Sequence, residues 1–166
     1  MRKIKILLVI LCVTLSFAMN SQNKVAHVNT EDVIMLMPER KVAQKELEGL
    51  AKTEGDIIEN MYAEFQTKQS LYQAQADEQT DEENTIRGKE IQDILVSIRN
   101  YEANAQQNFQ KKEVELMAPI TQKIMDAINK IARAQGLEYV FQFPMQGLLV
   151  AKGKDITEDV KTELGI

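Results

Sequence analysis

Gln75-Ala-Asp-Glu-Gln-Thr-Asp-Glu-Glu-Asn84 carries five acidic residues, Asp77, Glu78, Asp81, Glu82 and Glu83, and no apolar side chain larger than Ala76. On both sides lies long helical sequence whose apolar residues recur at threes and fours. Leu47, Leu50, Ile57, Ile58, Met61, Phe65 and Tyr72 precede it. Ile91, Ile94, Ile98, Tyr101, Ala105, Phe109, Leu116, Ile120, Ile124, Ile128 and Ile131 follow it. This spacing gathers most of each set into one stripe of a helix. A long helix with a narrow apolar stripe needs a partner to cover it, because propensity alone holds helices weakly in water. Pro38 and Pro119 are the only prolines in the helical region, and their midpoint, 78.5, falls inside the acidic stretch. The stretch therefore reads as the tip, near residues 77–84, of an antiparallel helical hairpin over 38–117. Each arm holds about forty residues, or roughly 60 Å at 1.5 Å per residue. Gly49, Gly55 and Gly88 weaken the arms without stopping them, since the stripe continues past each.

The flanking segments, 22–37 and 118–166, read as a second body containing both chain ends. Lys24–Asn29 alternates apolar and polar residues as a short half-buried strand does. Asn29 or Thr30 can cap a short helix with Glu31 and Asp32 in its first turn, and Pro38 either kinks that helix or opens the next. Gly136 is a natural helix stop after Arg133. Two strand-like runs follow, Leu137–Phe143 and Leu148–Lys152, joined by a turn with Pro144 and Gly147. A closing helix capped by Asp155 or Thr157 ends at Gly165. The fold class is thus mainly α with a small β part. Three short strands rarely form a stable sheet alone and leave two open edges, so strands from other copies of the chain are expected to complete the body in a homo-oligomer.

The first residues have another task. Arg2, Lys3 and Lys5 precede an apolar run from Ile6 to Val13, then small and polar residues from Ser16, the layout of a signal peptide over 1–21 cut between 18 and 22. The run is too short for a stop-transfer helix. An acylated Cys12 is the rival reading, weakened by bulky Leu11 and by the apolar run continuing past the cysteine. Removal of the segment takes the single cysteine, leaving neither disulfide nor thiol chemistry. It also moves the net charge from −5 to −8, because three of the 20 basic residues go and all 25 acidic ones stay. Residues 30–135 alone hold 13 basic and 20 acidic residues. Nucleic acid and anionic membrane surfaces are poor partners for such a chain.

A search for chemistry finds little. His27, the only histidine, stands in a strand between Ala26 and Val28, where structural roles predominate. No second histidine or mature cysteine exists to build a metal site, and Lys152–Asp155 is too short for a phosphate loop. No catalytic residue, metal site or cofactor is expected. What remains is apolar: at 100° per residue Val96 and Val114 lie opposite the stripe, and Tyr62 and Leu71 lie toward the flanks of theirs. Single exposed apolar residues are ordinary. Alternatively, these four line an inner surface that offers weak, scattered contact to an unfolded chain, in contrast to the concentrated aromatic anchor of a tight partner.

The segments KVAHVNTEDV, LMPERKVAQKELEGLAK, KKEVELMAPITQKIMDAINKIARAQGLEYVF and DITEDVKTELG, in this order behind a signal peptide, resemble the Skp (OmpH) family of periplasmic chaperones for outer-membrane proteins. The resemblance spans the mature chain. It implies a trimer whose strands form a shared β-barrel body. Three helical tentacles then enclose a cavity, where unfolded outer-membrane proteins are held without ATP. Pro38 and Pro119, at one level, become hinge candidates. Relatives are often basic, whereas the hairpin here is acidic, so lipopolysaccharide contact does not carry over. The alternative from another class is a secreted coiled-coil structural or adaptor protein with a fixed partner.

Overall fold

A computed structural model describes residues 24–145 and 150–166. The segment read as a signal peptide, with Cys12, lies outside them. The chain forms strand β1 (Val25–Val28), helix α1 (Thr30–Leu36), helix α2 (Pro38–Ala74), a single 3₁₀ turn (Ala76–Glu78), helix α3 (Asp81–Gln135), strands β2 (Tyr139–Gln142) and β3 (Lys154–Asp155), and helix α4 (Thr157–Leu164). It divides into two compact units, one joining the described residues up to Met37 with those from Ile120 onward, the other of Pro38–Pro119.

In the first unit β1 is the central strand of a sheet ordered β2-β1-β3, with both neighbours parallel to it. Val25 stands beside Tyr139 and Val28 beside Gln142, while Ala26 pairs with Lys154 and His27 with Asp155. This corrects the expected joined pair of strands after the hairpin. β2 and β3 do not touch but flank β1 on opposite edges. The third strand is displaced as well: Val150–Lys152 form no strand, and Leu148 and Leu149 lie outside the described residues. The reason is a backbone approach. A Cβ at Gly153 would stand 3.0 Å from the Val25 carbonyl oxygen, so the chain closes on β1 at a residue without a side chain and pairs only beyond it.

Local chemistry explains the helix ends. The Asn29 side chain accepts from the Asp32 N–H at 3.2 Å, capping α1. Met37 is extended, as the residue before a proline prefers, and Pro38 opens α2, where its missing N–H costs nothing. Gly136 (φ 65°) and Gly165 (φ 73°) close α3 and α4 in the left-handed region. At the start of α4 the Thr157 hydroxyl donates to Asp155 Oδ1 at 2.6 Å and accepts from the Asn29 N–H at 2.9 Å, tying the end of β1 to the end of β3. Ala26, Val28, Val33, Met37, Ile120, Ile124, Ala127, Ile128, Ile131, Ile156 and Val160 form the core of this unit.

The second unit is an antiparallel hairpin. Thr80 caps α3 by accepting from the Glu83 N–H at 3.2 Å, with Asp81, Glu82 and Glu83 in the first turn, where the helix dipole favours them. Asn84 Nδ2 reaches back to the Ala76 carbonyl at 2.9 Å. Along the seam Ile98 is fully buried and Ala43 and Ala105 nearly so. Leu47, Leu50, Ile58, Met61, Phe65, Tyr72, Ile91, Ile94, Tyr101, Phe109 and Leu116 are half-buried, since one helix covers only one side of its partner. Ile57, placed on the stripe by its spacing, falls outside it and is exposed, because its neighbour Ile58 takes the seam position. Pro119 sits inside α3, where it has no N–H for the carbonyl four residues back.

Ile156 is fully buried and Leu71 half exposed. Ile156→Ala is expected to lower stability by about 2–5 kcal/mol, and Leu71→Ala by less than about 0.5 kcal/mol. Urea unfolding of the two variants checks this, and equal shifts would remove Ile156 from the core.

Candidate functional site

The arms of the hairpin are joined by polar bonds on the flanks of the seam. Tyr72 donates to Glu90 Oε2 at 2.5 Å, and Lys68 pairs with the same carboxylate. Tyr62 donates to Glu102 Oε1 at 3.2 Å, Tyr101 to Glu54 Oε2 at 2.6 Å, and Lys112 pairs with Glu46 at 2.6 Å. The Arg87 guanidinium lies 4.8 Å over the Tyr72 ring and donates to Gln75 at 3.4 Å. The mean sequence position of each cross-arm pair falls between 77.5 and 82, so the fold-back lies where the two prolines put it.

These bonds set the ionisation of their members. The Lys68 ammonium, with the Tyr72 hydroxyl second, holds the Glu90 carboxyl below its ordinary value. The carboxylates of Glu102, Glu90 and Glu54 raise the phenols of Tyr62, Tyr72 and Tyr101. A depressed carboxyl stabilises the fold above its unfolded pKa, and that contribution is lost as pH falls through the folded value. The raised phenols contribute below their unfolded pKa, and lose it as pH rises through the folded values.

With the seam and its flanks occupied, the outward surface is what the hairpin offers. Tyr62 is 37% exposed, Leu71 50%, Val96 52% and Val114 68%. The structure does not gather the four into one pocket; they are spread along both arms, and Tyr62 is also engaged through its hydroxyl. Val42 and Ile86 are equally exposed and were missed, although the same 100° construction applied to every apolar residue finds them. A groove of about 450 Å³ also went unseen, formed where the small Ala43 and Ala51 of α2 face the level of Met117 and Phe109. Leu47 completes its apolar floor, and Arg40, Glu48 and Glu113 its rim.

The sheet unit has its own exposed apolar face. Tyr139 and Phe141 of β2 stack with ring centroids 6.4 Å apart. Val25, Phe141, Met145 and Val150 bound a cavity of about 330 Å³ beside His27. His27 packs edge-on against Phe143, with Nε2 3.7 Å from Asp155 Oδ2 and Nδ1 buried without a hydrogen-bond partner. The Thr157 hydroxyl holds the Asp155 carboxyl below its ordinary value. No nucleophile stands within reach of the imidazole in these contacts. Among the described residues no group of His, Cys, Asp and Glu is arranged to hold a metal ion, and no helix is long and apolar enough to cross a membrane. The arrangement suits contact with another polypeptide.

Glu90→Gln is expected to reduce the fall in thermal midpoint between pH 7 and pH 3, because it removes one carboxylate whose pairing is lost in acid. Melting followed by circular dichroism tests this, and parallel curves for variant and parent would disconnect the Lys68–Tyr72–Glu90 cluster from stability.

Comparison with known proteins bears on what this surface meets. A family model described as "Outer membrane protein (OmpH-like)" matches residues 24–164. Chaperone protein Skp of Photorhabdus laumondii subsp. laumondii is 25% identical over 150 residues, covering 89% of this chain and 90% of that protein. The protein of the same name from Pectobacterium atrosepticum is 26% identical over 148 residues, with 87% of each chain covered. Among solved structures, a putative outer membrane chaperone (OmpH-like) from Caulobacter crescentus CB15 matches with a TM-score of 0.70, covering 88% of this chain and 87% of that one at 11% identity. That structure shares the fold.

Proposed function

Because the chain belongs to the OmpH-like family of outer membrane proteins, we propose that it is a chaperone that holds unfolded outer-membrane proteins in the periplasm and keeps them from aggregating, without ATP. The supporting observation is the exposure of Tyr62, Leu71, Val96 and Val114 along a hairpin whose seam is already satisfied. Dispersed apolar contacts bind many sequences weakly, which is what a holder of unfolded chains requires. The naming of the curated relatives as chaperones supports the same reading and a non-enzymatic role.

In this proposal three chains join through their strands into a β-barrel body. The open outer edges of β2 and β3 and the exposed Tyr139, Phe141 and Val25 support such pairing. The hairpins bound the cavity that receives the client, and Pro38 and Pro119 act as hinges. The division of the chain into compact units at these two prolines supports the hinge assignment. Export by the segment 1–21 delivers the protein to its clients.

Diluting an outer-membrane β-barrel protein from urea into buffer should give less light scattering when this chain is in molar excess. Unchanged scattering would overturn the holdase reading in favour of an adaptor with one fixed partner. Changing both Val96 and Val114 to Ser should weaken that protection while leaving helicity intact, with a stability change within about 0.5 kcal/mol. Equal loss of helicity and protection would assign the two valines to packing. Sedimentation at micromolar concentration should show a trimer, and a stable monomer would contradict the shared body.

A further inference from the structure

Charge is not spread evenly along the hairpin. Its distal part, residues 54–102, holds 12 acidic and 4 basic residues, a net of −8. The proximal parts, 38–53 and 103–119, hold 5 acidic and 6 basic residues, a net of +1. Two of the four distal cations are already used, Lys68 on Glu90 and Arg87 on Glu83. Asp56, Glu59, Glu64 and Asp93 are exposed on the arms and make no ion pair with any described residue. In the same zone Ile57, Tyr62, Leu71, Ile86 and Val96 are exposed. Leu71 on α2 is at the level of Ile86 on α3, and Tyr62 is at the level of Val96. At 100° per residue Tyr62 and Leu71 lie about 180° apart on α2, so the two levels open on different faces of the hairpin, each with its own apolar step among carboxylates.

We propose that this distal surface selects its clients by charge, binding segments of unfolded polypeptide that carry an apolar residue with Lys or Arg beside it. The apolar residue of such a segment meets one of these exposed side chains, and its cations meet the unpaired carboxylates. Segments rich in Asp and Glu are turned away, since like charges brought together in an interface oppose association. An attractive field of this kind also speeds encounter and weakens with salt. This selection rests on the holdase reading and adds to it which unfolded chains are held.

Two unfolded probes of similar length and opposite charge separate these ideas: reduced, iodoacetamide-blocked lysozyme, which is basic, and α-lactalbumin treated alike, which is acidic. Binding of each to the full chain is followed by fluorescence anisotropy. At low salt lysozyme should bind at least about tenfold more tightly, and the two affinities should converge to within about twofold at roughly 0.5 M salt, where the Debye length is only a few ångströms. The variant D56N/E59Q/E64Q/D93N should lose most of the preference while keeping its helicity, with weaker binding of lysozyme and equal or tighter binding of α-lactalbumin. Equal binding at low salt, a preference that survives high salt, or a preference untouched by the variant would overturn charge selection and leave the holdase reading in place. Failure to bind either probe would overturn both.

Discussion

The hairpin depends on one mutual obligation: neither arm can bury its apolar stripe without the other. Ile98 reaches full burial only because an antiparallel helix lies against it. The obligation is also frugal. A two-helix seam uses one narrow strip of each cylinder, leaving flanks and backs free of any packing duty. The flanks take bonds that fix register, in which tyrosines and lysines of one arm meet carboxylates of the other. The backs carry no packing duty within the hairpin, and they are where Val96 and Val114 stand.

Electrostatics follows the same division. Some acidic residues near the tip serve the fold, since Asp81, Glu82 and Glu83 occupy the first turn of a helix that Thr80 caps. The acidic stretch is therefore a helix start as much as a surface feature. Other carboxylates farther along the arms have no such internal duty and give the distal half its field.

Much of this was legible in the sequence, for a physical reason. Helical periodicity, proline placement and caps are local signals, so the fold-back point, the role of Gly136 and Gly165, and the exposure of Leu71 and Val96 could be read from spacing alone. The sheet was harder because its partners are distant. Leu148–Lys152 has a strand-like composition, yet the third strand is Lys154–Asp155 on the far edge of β1, a choice decided by how closely Gly153 passes Val25. Nothing near either residue in sequence announces that contact. The groove at Ala43 and Ala51 was invisible for a related reason: it arises from missing side-chain volume across two helices, and two alanines in a helical run signal only helix. Ile57 shows the limit of counting, because two adjacent isoleucines compete for one seam position and spacing does not say which yields.

The parallel sheet has a consequence in time. Ala26 waits for Lys154 and His27 for Asp155, partners more than a hundred positions later, so a chain made from its N-terminus cannot complete its small sheet until nearly all of it is available. The hairpin is under no such delay. Its contacts close outward from the tip, each pair shortening the loop that the next must close, and loop closure is least costly when the enclosed segment is short. A chain folding as it emerges would thus have zipped arms before it has a finished sheet. Completion of the sheet then becomes the last step of folding, timed by the arrival of the final residues.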